Sequence, residues 1–227
     1  MSLEECIGKI VLPVLKENQY EEYPYSKSGT GFRICHNNNH FFVTAEHVVS
    51  DTGIDGKLIP RPPEEILVPE NNSSRIFIPL IEKINVDSKS YIVEKDIAFF
   101  KIQETSCLNA SLRSNHVDCE LNSRDELLVF GYPCQKNVVD CEAKKIKRFI
   151  KAYSAHFISR IDMFHSRLSI DLDDGEILDG VSGGAVFKKT NMKLCGMMLK
   201  ADKSGLAEMY NADVIVRIMD DIVNKKG

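Results

Sequence analysis

The chain has 227 residues, 43% hydrophobic and 27% charged, which is typical of a globular protein long enough to bury a core. Its formal net charge of −4 gives no general electrostatic reason to bind nucleic acid or an anionic membrane, so neither is expected as a partner. The acidic start of the chain and an apolar run broken by Pro13 predict neither a signal peptide nor a transmembrane span. Seven cysteines without a CxxC pair then favour reduced thiols in a cytoplasmic protein, with Cys134 and Cys195 predicted as core thiols.

Short apolar or alternating runs recur along the whole chain, with Asn, Gly and Pro between them. Such runs lie at residues 31–34, 40–44, 75–80, 97–102, 126–130, 155–158, 167–170, 184–187 and 193–199. Many short strands at this spacing predict an all-β protein. The three asparagines at 37–39 separate two of these strands and predict a hairpin turn, because Asn tolerates left-handed backbone angles.

Two further stretches differ from these strands and indicate how the chain is divided. Residues 103–124 are polar, turn-rich and weakly periodic, so they predict a boundary between an early and a late set of strands. Apolar residues recur at helical spacing over 213–224, which predicts a C-terminal helix with Asp213 as its cap and residues 225–227 as its end.

The run Gly-Val-Ser-Gly-Gly at 180–184 places a serine inside a flexible turn. A serine hydroxyl is a poor nucleophile unless a base removes its proton and donors stabilise the oxyanion. In such a turn the backbone amides of Gly180 and Ser182 can point at one spot. Taken alone, the run slightly favours a glycine-rich turn with an incidental serine.

Two other residues favour a catalytic serine over an incidental one. His47 follows a strand in a Thr-Ala-Glu-His turn, and Asp96 lies where a polar edge gives way to an apolar strand. A histidine base, an aspartate that orients it and a serine nucleophile form a triad, here in the chain order His…Asp…Ser. The α/β-hydrolase order Ser…Asp…His is excluded because no histidine follows Ser182.

The segments around these residues resemble those of the trypsin-like (chymotrypsin-fold) serine proteases. Residues 44–49 resemble the family's TAxHV block, residues 96–98 its DxA block and residues 176–185 the block around its serine. Residues 28–32, 130–133 and 194–198 resemble its supporting strands. The closest similarity is to HtrA/Deg-type and similar members without zymogen activation, here without a PDZ domain.

This resemblance implies two six-stranded antiparallel β-barrels and a C-terminal α-helix. Residues 1–110 would form the barrel carrying His47 and Asp96, and residues 111–227 the barrel carrying Ser182 and the helix. Val181 stands where extracellular members carry an aspartate, so activation by N-terminal insertion is not expected. Many members also keep a serine near Leu199 that supports the triad aspartate, and its absence leaves open how Asp96 is held.

The implied function is a cytoplasmic serine endopeptidase that acts on a peptide or protein substrate through an acyl-enzyme. Its oxyanion hole would be the backbone amides of Gly180 and Ser182, and no cofactor is implied. The alternative is a catalytically latent or pseudo-protease binding module of the same fold, which engages a peptide or protein partner. No metal is expected, because the Cys/His pairs at 35–40 and 116–119 do not complete a zinc-ligand set.

The resemblance also suggests a substrate-binding region. Alignment to Ser182 puts Glu176 at the floor of the specificity pocket, with Ile177 beside it. The strand that pairs with the substrate backbone would contain Leu199, Lys200 and Ala201. A Glu176 that points into the pocket favours Lys or Arg in the substrate. We favour the other arrangement, in which Ile177 and Met197 line a small apolar pocket and Glu176 faces solvent, because HtrA-type members usually prefer small aliphatic residues.

Overall fold

The computed structural model describes residues 3–18, 25–70, 76–84, 96–103, 111–136, 138–140, 145–147 and 149–224. Its architecture is mostly β, with an open seven-stranded sheet, a closed six-stranded barrel and a C-terminal helix. The predicted all-β class with a C-terminal helix is therefore confirmed. The predicted division at residue 110 stays a prediction, since residues 104–110 lie outside the described part.

The elements follow one another along the chain with short connections. They are α1 (Leu3–Ile7), β1 (Val11–Glu17), β2 (Tyr25–His36), β3 (Asn39–Thr44), β4 (Ser50–Thr52), β5 (Leu58–Pro60), β6 (Ile66–Leu67), β7 (Leu80–Ile84), β8 (Ala98–Ile102), β9 (Leu112–Arg113), β10 (Glu126–Gly131), β11 (Val138–Asp140), β12 (Lys145–Lys147), β13 (Lys151–Arg160), β14 (His165–Ile170), β15 (Ala185–Lys188), β16 (Leu194–Ala201), β17 (Leu206–Asn211) and α2 (Ala212–Asn224). Single 3₁₀ turns lie at Glu46–Val49, Pro63–Glu65 and Cys134–Lys136.

The N-terminal sheet has the strand order β6-β1-β2-β3-β8-β7, and β9 pairs with β2 beside this path. The edge strands β6 and β7 do not pair with each other in the described residues, but the residues just after β6 and just before β7 meet in an antiparallel bridge between Pro69 and Phe77. This half is therefore a sheet curled into a half-barrel. The predicted hairpin turn between β2 and β3 is confirmed. Asn37 and Asn38 have φ of 47° and 58° and form a two-residue loop between the paired residues His36 and Asn39.

The C-terminal barrel closes in the order β10-β13-β14-β17-β16-β15, all neighbours antiparallel. Side chains alternate along β13, where Tyr153, Ala155 and Phe157 point into the barrel and help to form its core. A second, larger core runs from the N-terminal sheet to the inner face of α2. Cys195 is buried as predicted, but the prediction for Cys134 is wrong, because its 3₁₀ turn leaves it exposed.

Helix α2 packs its apolar residues onto the larger core through positions three and four apart. It begins at Ala212, one residue earlier than predicted, so Asp213 lies in the first turn instead of capping it. Asp213 instead forms an ion pair with Arg160, at 2.9 Å between Oδ2 and the guanidinium nitrogen. Residues 225–227, predicted to end the helix, lie outside the described part. No helix in the described residues is long and apolar enough to cross a membrane.

Candidate active site

His47 and Asp96 meet at one end of the N-terminal sheet. His47 lies in the 3₁₀ turn that follows β3, and Asp96 comes just before β8, whose Ala98 pairs with Thr44 at the end of β3. This pairing brings the two loops together, so the His47 Nδ1 lies 2.6 Å from Asp96 Oδ2 and the His47 backbone N–H donates to Asp96 Oδ1 at 2.9 Å. The other ring nitrogen, Nε2, has no hydrogen-bond partner among the described residues.

The Asp96 carboxylate is held in its charged form. Burial alone raises the pKa of Asp96, but the hydrogen bond from the His47 ring, its charge and the backbone amides of His47 and Glu46 outweigh burial and hold the pKa below its ordinary value. The sequence left open how Asp96 is held, and in the structure the backbone amides of the 3₁₀ turn bind its carboxylate, while Leu199 is a buried apolar residue.

The turn at residues 180–184 has a backbone that only glycine accepts readily. Gly180 and Gly183 have φ of +89° and +82°, in the left-handed region. A side chain at Gly183 would overlap the carbonyl oxygen of Thr30, and one at Gly180 would lie 2.7 Å from the carbonyl oxygen of Tyr132. These glycines let the turn pack tightly between the two halves of the molecule.

Thr30 of β2 fastens this turn to the N-terminal sheet. Its backbone N–H donates to the Ser182 carbonyl at 2.9 Å, and its hydroxyl donates to the Gly180 carbonyl at 2.7 Å. At the neighbouring Gly29, an added side chain would lie 2.6 Å from Val48 and 3.0 Å from the Ser182 carbonyl oxygen. Since Val48 follows His47 in the chain, the Ser182 backbone lies close to the turn that carries His47, and we call the region between the sheet and the barrel at this point the cleft. No hydrogen bond joins the Ser182 hydroxyl to the His47 ring in the described residues.

The orientation of the peptide bond between Asp179 and Gly180 determines whether the Gly180 N–H can donate to an oxyanion. The Asp179 carbonyl accepts a hydrogen bond of 2.6 Å from the Cys134 backbone N–H, so it points toward Cys134. Because a trans peptide directs its N–H opposite to its C=O, the Gly180 N–H points the other way. Neither this amide nor that of Ser182 has an acceptor in the described part of the chain. Sequence reasoning missed Thr30 and Cys134 as supports, because both act here through backbone or hydroxyl geometry that no motif specifies.

The comparisons with solved structures agree with this fold. The chain matches an inactive form of Rv3671c from M. tuberculosis H37Rv with a TM-score of 0.57 and 14% identity, over 99% of this chain and 93% of that one. It matches a serine endoprotease from Yersinia pestis with a TM-score of 0.60 and 17% identity, over 99% of this chain and 67% of that one. The chain has a trypsin-like serine protease fold. No protein-family model and no curated protein matches its sequence.

In this protease fold, the predicted substrate strand has an open edge. Strand β16 pairs with β15 as far as Met197, and Met198 exchanges hydrogen bonds with residues 183 and 184. Beyond that point only β17 lies beside it in the described residues. The open edge covers Leu199, Lys200 and Ala201, and an extended peptide can pair with it.

The predicted specificity residues differ from the arrangement that the sequence favoured. Glu176 does not face solvent, because its side chain is only 8% exposed and its carboxylate binds the Lys151 ammonium. Met197 is fully buried in the larger core, whereas Ile177 is partly exposed. No local sequence pattern indicates Lys151 as the partner of Glu176, since it lies 25 residues earlier in the chain.

The two Cys/His pairs considered as metal ligands have other surroundings. His36 contacts the Ser114 hydroxyl at 2.8 Å through Nδ1 and the Asp220 carboxylate at 2.9 Å through Nε2, which links β2 to α2. Within the described residues, no three His, Cys, Asp or Glu side chains come together as a metal site.

Proposed function

We propose that this chain is a serine endopeptidase in which Ser182 is the nucleophile, His47 the general base and Asp96 the residue that orients the base. The observation that carries the proposal is the 2.6 Å contact between His47 Nδ1 and Asp96 Oδ2, which leaves Nε2 without a hydrogen-bond partner among the described residues. The closeness of Gly29 to both Val48 and the Ser182 carbonyl supports a site that Ser182 shares. The fold neighbours support protease chemistry in general.

The proposed reaction is acyl transfer through a covalent intermediate. His47 Nε2 takes the Ser182 hydroxyl proton as the oxygen attacks a peptide carbonyl, and Asp96 stays ionised and stabilises the imidazolium that forms. The backbone amides of Gly180 and Ser182 donate to the oxygen of the tetrahedral intermediate. His47 then gives its proton to the leaving amine, and water releases the acyl group by the same route.

The substrate would be an extended segment of a peptide or protein. Its backbone would pair with the open edge of β16 at residues 199–201, which offers main-chain hydrogen bonds without demanding a particular side chain. This pairing would bring one carbonyl of the substrate to the two unpaired amides beside Ser182.

Replacing the nucleophile tests the proposal directly. We expect Ser182→Ala to lower kcat on a fluorogenic peptide by about 10⁶-fold, because the variant lacks the hydroxyl that forms the acyl-enzyme. A fluorophosphonate probe should label the wild type and fail to label this variant. The matched control is Ser204→Ala, which removes an exposed hydroxyl bound to Asp202 and should leave both readouts unchanged.

Two outcomes of the same experiment would contradict the proposed function. Absence of labelling and of hydrolysis in folded wild-type protein, across a broad peptide library, would favour the binding module of the same fold. Labelling that persists in Ser182→Ala would assign the nucleophile to another residue.

A further inference from the structure

A cation and an acid meet at the end of the C-terminal barrel. Lys151 is the first residue of β13 and lies directly opposite Gly131 of β10. Directly opposed residues of an antiparallel pair project from the same face of the sheet. A side chain at Gly131 would lie 2.8 Å from Val181, so Lys151 projects to the face that Val181 covers, next to Ser182. There its ammonium binds the Glu176 carboxylate.

Tyr153 lies beneath this ion pair. It is two residues further along β13, on the same face as Lys151, and the ammonium stands 4.7 Å from the centre of its ring. The Tyr153 side chain is almost fully buried, and its hydroxyl has no hydrogen-bond partner among the described residues. Burial and then the nearby Glu176 carboxylate raise the pKa of Tyr153. An acid, a cation and a phenol therefore share the barrel end below residues 176–181.

Lys151 interacts more strongly with Glu176 than with its other acidic neighbour, Asp173. The Lys151 ammonium also lies 3.6 Å from the Asp173 carboxylate, but that side chain is 90% exposed and its attraction is screened by water. Glu176 and Lys151 are 8% and 23% exposed, so water screens the charge on each much less. The carboxylate therefore has its compensating charge supplied within the protein.

A substrate side chain would reach this place. If Ser182 attacks a peptide carbonyl as proposed above, the oxygen lies at the amides of Gly180 and Ser182. The side chain of that same substrate residue would then lie between the segment 176–181 and the open edge of β16 at 199–201, where the resemblance to trypsin-like proteases puts the specificity pocket. The barrel end, with Glu176 only four residues before Gly180, would form the floor of that space.

We propose that Lys151 is a specificity-determining residue. It neutralises Glu176 and so makes the site accept substrates with an uncharged side chain at the attacked residue and reject lysine and arginine. A substrate cation would have to share one carboxylate with Lys151, and two like charges in a poorly hydrated space repel each other. The proposal rests on the proposed function, since it assigns the substrate of the same site.

The test compares two peptides that differ only in charge. One carries arginine at the attacked residue and the other carries citrulline, which has nearly the same shape and no charge. We expect the wild type to prefer citrulline in kcat/KM, and Lys151→Met to shift the arginine-to-citrulline ratio toward arginine by about tenfold or more. Lys151→Met combined with Glu176→Gln should return the ratio to that of the wild type.

A matched control removes the same charge elsewhere. Lys189 forms an ion pair of 2.9 Å with Glu126, away from the cleft, and Lys189→Met should leave the ratio unchanged. Should Lys151→Met fail to fold, as judged by circular dichroism, Lys151→Gln removes the charge and keeps a hydrogen-bond donor for Glu176.

Binding of a cation tests the same proposal without turnover. In a Ser182→Ala background, benzamidine, an aromatic amidinium ion, should bind Lys151→Met about tenfold or more tightly than it binds the parent, as measured by isothermal titration calorimetry. If the wild type hydrolyses no peptide but Lys151→Met binds benzamidine more tightly, the proposed function is contradicted and the proposed role of Lys151 stands. A wild type that prefers arginine, or equal benzamidine affinity with and without Lys151, would overturn the role of Lys151.

Discussion

The two sides of the cleft contribute different kinds of groups. The N-terminal sheet contributes side chains, the His47 imidazole and the Asp96 carboxylate, which are about one-third exposed and bind each other directly. The C-terminal barrel contributes backbone, namely a turn with two left-handed glycines and two amides without acceptors in the described residues. The contribution of the N-terminal sheet therefore depends on the type and the protonation of its side chains. The contribution of the barrel depends on the φ angles of the turn and on the space around its glycines.

Changing Asp96 disrupts the side-chain half and has the largest effect that we expect in this comparison. In Asp96→Asn the amide no longer holds the His47 ring in the tautomer that leaves Nε2 as acceptor, so kcat should fall on the order of 10⁴-fold. Steady-state kinetics on a reporter peptide measure this loss. Asp51→Asn is the control, because Asp51 is a surface carboxylate bound to Arg61, and its kcat should stay that of the wild type. Equal losses in both variants would mean that Asp96 acts only on general stability.

Changing Gly180 disrupts the backbone half. A methyl group at this position would lie 2.7 Å from the Tyr132 carbonyl oxygen and 2.8 Å from the Cys134 sulfur, so the turn must shift and carry its amide away from the oxyanion. We expect Gly180→Ala to lower kcat on the order of 10²-fold, the effect of losing one oxyanion donor. Kinetics and thermal unfolding should be measured on the same samples.

Gly175→Ala is the matched control for that variant. Gly175 has φ of +75°, and an added methyl group meets no atom within 4 Å. This variant should therefore carry the cost of a left-handed alanine, about 1 kcal/mol of stability, with kcat close to that of the wild type. A similar fall in kcat for both variants would mean that backbone strain, not the position of the Gly180 amide, causes the loss.

The smallest effect that we expect is a difference between the two halves in how the stability change of a variant depends on pH. The folded-state pKa of Asp96 is held below its unfolded value, so ionised Asp96 stabilises the fold above the unfolded pKa, about 3.9, and this contribution is lost as the pH falls through the folded pKa. Urea unfolding of the wild type and Asp96→Asn should therefore give a stability difference that is constant near neutral pH and shrinks below about pH 4. The difference between wild type and Gly180→Ala should not depend on pH, because no titrating group is changed. A difference for Asp96→Asn that is equally flat would contradict this assignment.

The sequence predicted the parts of the site that depend on residue type. His47, Asp96 and Ser182 are polar residues in turns between apolar runs, and the structure pairs His47 with Asp96 in a turn close to the Ser182 backbone. The Asn37–Asn38 turn was also predictable, because its left-handed backbone angles limit the residues that can occupy it. Roles for these residues in catalysis remain predictions, whereas their positions follow from the fold.

Other features depend on where distant segments meet, which no local pattern specifies. The partner of Glu176 is a lysine on a strand 25 residues away, and the sequence therefore suggested a solvent-facing acid. The Cys134 amide holds the Asp179 carbonyl, and any residue other than proline would supply the same N–H. Asp213 resembled a helix cap, but an ion pair with Arg160 holds it in the first turn of α2 instead.

The two hydrogen bonds from Thr30 couple the halves of the molecule in a specific way. A single residue of the N-terminal sheet holds the carbonyls on both sides of Val181 in the barrel, so a separation of the two halves removes both supports at once. A molecule that inserts between the halves would consequently distort the Ser182 turn through the carbonyls that support it. Compounds that separate the halves at Thr30 would therefore act on the backbone of the turn instead of competing for the Ser182 hydroxyl.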